Sequence, residues 1–235
     1  MIWHDLECGA YTADLDFWVA LAERHGDPIL DIGAGTGRVA IELARHGHTV
    51  TALDVDAELL SELQRRAAGL PVQTVCADAR AFSLEQRFAL CLAPMQTIQL
   101  LDGRTERAEF LRCAWRHLAP GGVLAVAIAE AVEAYEALDG VPGPLPDMTE
   151  RDGVVYSSLP TAVRVDGRGF VLERRRERVD AEGGRSVDED VVVLRRLSAE
   201  ELEGEARAVG LRPAGRHEIP DTAEHVGSVV VMLGG

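Results

Sequence analysis

The sequence predicts an α/β fold of three layers, with helices on both faces of a mainly parallel sheet and a small antiparallel sheet inserted late in the chain. Three observations carry this expectation. From residue 28 to about 130, short apolar runs bounded by turn residues alternate with amphipathic stretches, the pattern of successive strand–helix units. A dense glycine loop, Gly33-Ala34-Gly35-Thr36-Gly37, joins the first apolar run to the first helix that follows it. After residue 140 the pattern turns to β-branched residues separated by tight-turn pairs such as Asp166-Gly167 and Gly183-Gly184.

Taken in order, residues 11–24 read as an amphipathic helix with Leu15, Trp18, Val19 and Leu21 on its buried side. Trp3, His4 and Tyr11 form an aromatic-rich lead-in that either anchors this helix or covers a ligand. Ile29, Leu30 and Ile32 make a run that can be buried on both faces, as a central parallel strand is, with Asp31 interrupting it where the strand should end. Gly33, Gly35 and Gly37 then let the chain turn sharply and let a ligand approach the main chain. Residues 39–44 continue as a helix whose free N–H groups face that ligand.

Residues 49–54 form the second strand, ending on Asp54, with Val55 beyond it and a helix at 57–68. Residues 71–76 are the third strand, followed by the loop Ala77-Asp78-Ala79. The fourth, Phe88–Ala93, runs into the loop 94–101 at the carboxyl end of the sheet, where open α/β sheets bind ligands. A helix at 106–117, a tight turn at 118–122 and a fifth strand at 123–128 come next. Glu130 ends that strand, and a helix at 131–138 follows.

A proline-rich loop is expected at 141–146. Segments 154–159, 162–165, 169–179 and 186–197 should pair into the antiparallel insert. Arg174, Arg176 and Arg178 alternate, so they share one face of a strand, read as solvated. Ser198-Ala-Glu-Glu201 is a capping box opening the last helix, Gly210 closes it, and 212–219 and 225–233 are final strands. The domain organisation expected is an N-terminal lid or helix (1–27), a cofactor-binding core (28–139), the β insert on the substrate side (140–197), and a closing helix with two strands (198–235).

The glycine loop admits two ligand classes. Gly35-Thr-Gly37-Arg-Val-Ala40 fits the dinucleotide pattern G-x-G-x-x-A, and Asp54 stands at a suitable distance for a ribose-binding acid. Yet Asp31-Ile-Gly33-Ala lies between the strand and that pattern, placing a carboxylate at the loop mouth. A pyrophosphate gains nothing from it, whereas a ligand with a cationic amino-acid end does. Asp31-x-Gly33-x-Gly35-x-Gly37 resembles the first motif of the class I S-adenosylmethionine-dependent methyltransferases, and the Leu118-x-Pro-Gly-Gly turn before an apolar strand is similar to theirs as well.

The resemblance covers residues 28–130 well and 198–233 more loosely. It implies a Rossmann-like sheet of seven strands, the last antiparallel. It implies S-adenosylmethionine as cofactor and S-adenosylhomocysteine as product, with Asp31, Gly33, Ala34, Gly35, Gly37, Asp54, Val55, Asp78, Ala79, Ala93, Pro94 and Gln96 at the cofactor, Asp54 binding the ribose and Asp78 the adenine amino group, and with substrate and sulfonium contacts often placed in the loop 94–101. Many relatives carry an asparagine in this last loop, where Gln96 and Gln99 stand here, so the roles of these two stay open. Packing is the reading for Met95 and Ile98. The family uses the lead-in and the insert as a lid.

The net charge of −15 opposes a nucleic-acid substrate, because phosphate binding needs a basic surface. The 24 basic side chains are all arginine, and asparagine is absent, which looks like a GC-rich coding bias and discounts the arginine patches. Cys8, Cys76, Cys91 and Cys113 lack metal-ligand spacing, so no metal is expected and reduced thiols in a cytoplasmic protein are. No run approaches a membrane span and the first residues lack a signal peptide's features.

Methyl transfer from a sulfonium is an in-line displacement that needs chiefly alignment and dryness. An N or O acceptor must also lose a proton, and His4, Tyr11 and Glu130 are the candidate bases, with His225 more remote. His46, His48 and His117 are expected to be solvated. The expected acceptor is a small molecule, for a monomer or homodimer without membrane or nucleic-acid partners. An NAD(P)-dependent oxidoreductase and a non-catalytic S-adenosylmethionine-binding protein are the alternatives.

Overall fold

The computed structural model describes residues 1–137, 144–222 and 225–235. They divide into two compact units, one made of residue 1 with 11–130 and 197–235, the other of 2–10 with 131–196.

The larger unit is built on a seven-stranded sheet. Its strands, numbered along the whole chain, are β1 (Ile29–Ile32), β2 (Val50–Asp54), β3 (Val72–Cys76), β4 (Phe88–Ala93), β5 (Leu118–Ile128), β11 (Arg212–Ile219) and β12 (Ser228–Gly234). They lie in the order β11-β12-β5-β4-β1-β2-β3. The strands from β3 to β5 are parallel, and β12 runs antiparallel to both its neighbours, as the family resemblance implied.

The central strands are buried on both faces, so alternate residues enter two cores. Ile29, Ala52, Leu90, Leu92 and Ala125 pack on one side with α2 (Leu15–His25), α3 (Arg38–Arg45) and α4 (Ala57–Arg66). Leu30, Ile32, Cys91, Ala93, Leu124 and Val126 pack on the other with α5 (Gly103–His117) and α6 (Ala199–Ala208). This is the three-layer arrangement. The capping box forms as read: Ser198 Oγ accepts from the Glu201 amide, and the Glu201 carboxylate accepts from that of Ser198.

The smaller unit holds α1 (Ile2–Cys8) and the strands β6 (Tyr135–Glu136), β7 (Asp147–Arg151), β8 (Val154–Val165), β9 (Gly169–Val179) and β10 (Arg185–Arg195). All pairs in this second sheet are antiparallel. Trp3 and Glu7 of α1, four residues apart, meet the sheet together. The Trp3 ring packs edge-on against Tyr156 at 5.4 Å, and Glu7 accepts from Ser158 Oγ at 2.7 Å and from Arg176 at 2.7 and 2.8 Å. Burial pushes the Glu7 carboxyl up, but Arg176, Ser158 and Arg174 outweigh it and hold the group below its ordinary range.

Several expectations are corrected. The lead-in is helical at 2–8, and the next helix begins at Leu15 rather than at residue 11. The segment 131–137 is not helical: Tyr135 and Glu136 pair with Val163 and Ala162, so sheet pairing overrides helix propensity. Residues 118–122 belong to β5, the bend being absorbed by a register shift opposite Phe88 and Leu90. Segments 154–159 and 162–165 are one strand, with a shift beside Pro160, which lacks the donor a regular ladder needs.

Arg174 and Arg176 do not face solvent. Arg174 is near Asp147 and Ser158, and Arg176 is bound by Glu7 and Asp190, while Arg178 is exposed. The expected loop at 141–146 lies outside the described residues as far as 143, as does the expected end of the helix at 138.

Candidate cofactor and active site

Asp31 sits next to the last position of β1 with 1% of its surface exposed, and no side chain donates to either carboxylate oxygen. A buried carboxylate without side-chain donors is costly, since burial disfavours the charged form. Burial accordingly pushes the Asp31 carboxyl up to about 7. The Arg38 guanidinium and the Ala40 backbone amide oppose the rise, and the nearby Asp54 and Asp14 carboxylates reinforce it.

The loop beyond Asp31 is held tightly. The Gly33 and Ala34 amides both donate to the Leu53 carbonyl, at 2.8 and 3.0 Å, and the Gly35 amide donates to Asp54 Oδ2 at 2.8 Å. Gly33, Gly35 and Gly37 have φ of 78°, 54° and 94°, in the left-handed region that side chains resist. A Cβ at Gly33 would also lie 2.6 Å from Thr97 Cγ2, and one at Gly37 would lie 2.7 Å from Leu63 Cγ. The glycines thus serve a turn and close packing of the loop against its neighbours.

Asp54 closes β2, and its Oδ1 accepts from the Asp56 amide at 3.0 Å. Asp56 in turn caps α4 through the Glu58 and Leu59 amides. Val55 between them is 73% exposed, a bare apolar surface at the end of the strand. Asp78 and Ala79 follow β3, both half-buried, and Arg80 clasps the Asp78 carboxylate and holds its pKa below the ordinary range. Ala93 and Pro94 are buried at the end of β4. Met95 and Gln96 then take positive φ of 46° and 54°, a strained pair of the kind found where a loop is shaped for a ligand.

A 3-10 turn at Thr97–Leu100 fixes the far side of this loop. Thr97 Oγ1 donates to the Pro94 carbonyl at 2.7 Å. Gln99 is fully buried: its Nε2 donates to the Ala129 carbonyl at 3.0 Å and its Oε1 accepts from the Ala129 amide at 2.7 Å. Gln99 therefore splices the loop to the end of β5, while Gln96 stays half-buried. Asp31, the glycines, Asp54, Val55, Asp78, Ala79, Ala93, Pro94 and Gln96 all stand at the carboxyl ends of β1 to β4.

The three candidate bases have different surroundings. Tyr11 is buried with its ring against His225 at 4.8 Å and under the Arg38 guanidinium at 5.1 Å. Burial and the Asp14 charge push its hydroxyl pKa up, which makes it a poor base near neutrality. Glu130 is exposed and accepts the Ala199 amide at 2.6 Å, so it serves the first turn of α6. His4 lies on α1, in the smaller unit.

The expectation of a solvated His117 is corrected. It is buried beside Phe82, with Nδ1 2.7 Å from the Cys113 carbonyl and Nε2 accepting from the Leu84 amide at 3.0 Å. These contacts select one neutral tautomer.

One pair escaped sequence reasoning. Arg38, the first residue of α3, meets Asp14 through Nη1 at 2.5 Å and Nη2 at 2.8 Å and donates to the Tyr11 carbonyl at 2.9 Å. Asp14 also accepts from Trp18 Nε1 at 2.7 Å. This buried fork ties residues 11–18 to the helix beyond the glycine loop. No local pattern announces a contact 24 residues apart.

Residues 29–122 match the family described as a methyltransferase domain. A Streptomyces protein named cypemycin N-terminal methyltransferase is 30% identical over 112 residues, 48% of this chain and 46% of its own length. An uncharacterized methyltransferase of Mycobacterium tuberculosis is 33% identical over 117 residues, 49% of this chain and 56% of its own. The chain thus spans about half the length of these relatives.

Among solved structures, the amino pentose methyltransferase CalS10 of Micromonospora echinaspora superposes with a TM-score of 0.71 at 22% identity, covering 99% of this chain and 96% of that one. The sugar N-methyltransferase KedS8 of Streptoalloteichus gives 0.74 at 20% identity, covering 98% and 90%. The likeness establishes the fold over nearly the whole chain. No helix among the described residues is long and apolar enough to cross a membrane, and no group of three or more His, Cys, Asp or Glu among them is placed to hold a metal.

Proposed function

We propose that the chain transfers a methyl group from S-adenosylmethionine to a nitrogen or oxygen of a small-molecule acceptor. The observation that carries this reading is Asp31, a buried carboxylate to which no side chain donates, at the mouth of a glycine loop inside the stretch that matches a methyltransferase domain. A cationic amino-acid end supplies the missing partner there. A pyrophosphate would meet the same carboxylate as a repulsion, which sets aside a nicotinamide-dependent oxidoreductase.

The residues present fit the cofactor. Asp31 and the loop Gly33 to Gly37 would hold its amino-acid end, Asp54 and Val55 the ribose, Asp78 and Ala79 the adenine, and Ala93, Pro94 and Gln96 the region of the sulfonium. When bound, the cofactor supplies a methyl group on a leaving group that is already charged. The chain contributes alignment: Gln99 fixes the loop after β4 and the Asp14–Arg38 fork fixes the start of α3, so the cradle is rigid before ligand arrives. The small-molecule class follows from the net charge, which opposes nucleic acid, and accords with the sugar acceptors in the names of CalS10 and KedS8.

Calorimetry with S-adenosylhomocysteine and with NAD tests the cofactor, and tight binding of NAD alone would overturn it. Labelled methyl from the cofactor should enter the small-molecule fraction of a cell extract. Label confined to RNA or protein fractions would overturn the acceptor class.

A further inference from the structure

In the second sheet β10 ends the strand order, and among the described residues it pairs with β9 alone. It runs from Arg185 to Arg195 without a proline and without a register shift. Just outside its two ends, the Asp180 amide donates to the Gly184 carbonyl and the Arg196 amide to the Arg168 carbonyl, each at 3.0 Å. Bonded pairs recur at every second residue, so the even-numbered positions of β10 bond to β9. The amides and carbonyls of Val187, Glu189, Val191, Val193 and Arg195 therefore point to the free edge. Side chains alternate between faces as well. Asp190 meets Arg176 at 2.7 Å and Leu194 is buried, whereas Val187, Val191 and Val193 on the opposite face are 46%, 58% and 38% exposed.

A long apolar edge is a template for another strand unless proline, a bulge or charge blunts it. The charges on β10 are spaced so that a second copy pairs them. Two antiparallel copies can bond only odd position to odd, so their two-fold axis must pass through a residue. An axis at Asp190 sets that carboxylate against its own copy and Arg185 against Arg195. An axis at Val191 sets Glu189 against Val193 and Asp190 against Val192. An axis at Val192 sets Val191 against Val193, Glu189 against Arg195 and Asp188 against Arg196, each pair made twice. We infer that the chain forms a homodimer by joining the free edges of β10 antiparallel about Val192, so that two sheets become one. Glu189 then lies between Arg175, opposite it on β9, and Arg195 of the partner subunit. Opposite charges facing each other across such a ladder stabilise it, and like charges destabilise it. The dimer does not depend on the proposed activity.

Sedimentation equilibrium of the native chain at micromolar concentrations should show a dimer. Glu189→Arg sets arginine against arginine across the two-fold axis, and Arg195→Glu sets glutamate against glutamate. Each alone should raise the dissociation constant by about tenfold or more. Mixing the two variants should restore it, because every 189–195 pair then holds one arginine and one glutamate. Residues 189 and 195 of one extended strand are too far apart to touch, so the rescue reads a contact between chains and a loss of stability cannot imitate it. Val193→Pro removes an amide donor that points to the free edge and none that β9 uses. It should separate the copies while circular dichroism and the melting curve stay close to native. A native chain that stays monomeric overturns the inference, as does a dimer indifferent to all three variants. If each charge variant is monomeric and their mixture is too, the register about Val192 is wrong and the inference falls.

Discussion

Consider the replacement of Asp31 by asparagine, which keeps the shape of the side chain and removes its charge. The native carboxyl is buried and its pKa rises from 3.8 to about 7. That difference corresponds to about 4 kcal/mol of preference for the neutral form in the folded protein, at about 1.4 kcal/mol per pKa unit. The folded state binds the proton more tightly than the unfolded chain, so stability attributable to this group falls as pH rises from about 4 and levels off above 7.

A ligand ammonium beside Asp31 reverses the preference, because it pairs with the ionised form. S-adenosylhomocysteine affinity should therefore fall by about tenfold for each pH unit below 7 and be flat above about 7.5. Calorimetry between pH 5.5 and 8 in buffers of different ionisation enthalpy reads both the affinity and the proton released on binding, about one per ligand at pH 6. Asp31→Asn should bind more weakly at pH 8, lose the slope and release no proton at pH 6. Equal native affinity at pH 5.5 and 8, or a variant that keeps the native slope, would refute the assignment of the cationic end to Asp31. The groups that bear on this titration are Arg38, Asp54, the Ala40 amide and Asp14, and the fork holds Arg38 on Asp14.

Gly35→Val should leave a folded protein that no longer binds S-adenosylhomocysteine, as read by circular dichroism and calorimetry side by side; normal binding would show that the loop does not lie against the ligand. A β-branched residue at φ 54° is strained, so some loss of melting temperature is expected as well. Glu205→Ala strands the Arg107 guanidinium, which meets Glu205 at 2.6 and 2.9 Å between α5 and α6 with both side chains under a tenth exposed. The expected cost is about 3–5 kcal/mol in denaturant unfolding, with the double variant Arg107→Met/Glu205→Leu recovering most of it.

The sheet was legible because its central strands must be apolar on both faces. Ile29 to Ile32 and Phe88 to Ala93 announce themselves without help from the rest of the chain. Asp31 stood out for the opposite reason, as a charge in a run where charge is costly. Illegible were features decided by partners far away in sequence. Residues 131–137 read as helix by composition, and only pairing with Ala162 and Val163 makes part of them strand.

His117 looks like a helix-end residue open to water until Leu84 supplies the amide that covers it. Gly121 and Gly122 read as a turn. A Cβ at Gly122 would lie 2.8 Å from the Phe88 carbonyl, so the absence of a side chain instead lets β5 begin early against β4.

The docking of α1 also sets an order of events during synthesis. Ser158 and Arg176, the groups that hold Glu7, lie 151 and 169 residues further along the chain. Residues 2–10 therefore emerge from the ribosome long before anything they pack against, and at about 5–20 residues per second they wait roughly ten seconds or more. Closing so long a loop costs entropy that only the completed antiparallel sheet repays. A segment made well before its partners is among the last to settle, and until then Trp3 is an exposed apolar group on a nascent chain, the kind of surface that chaperones bind.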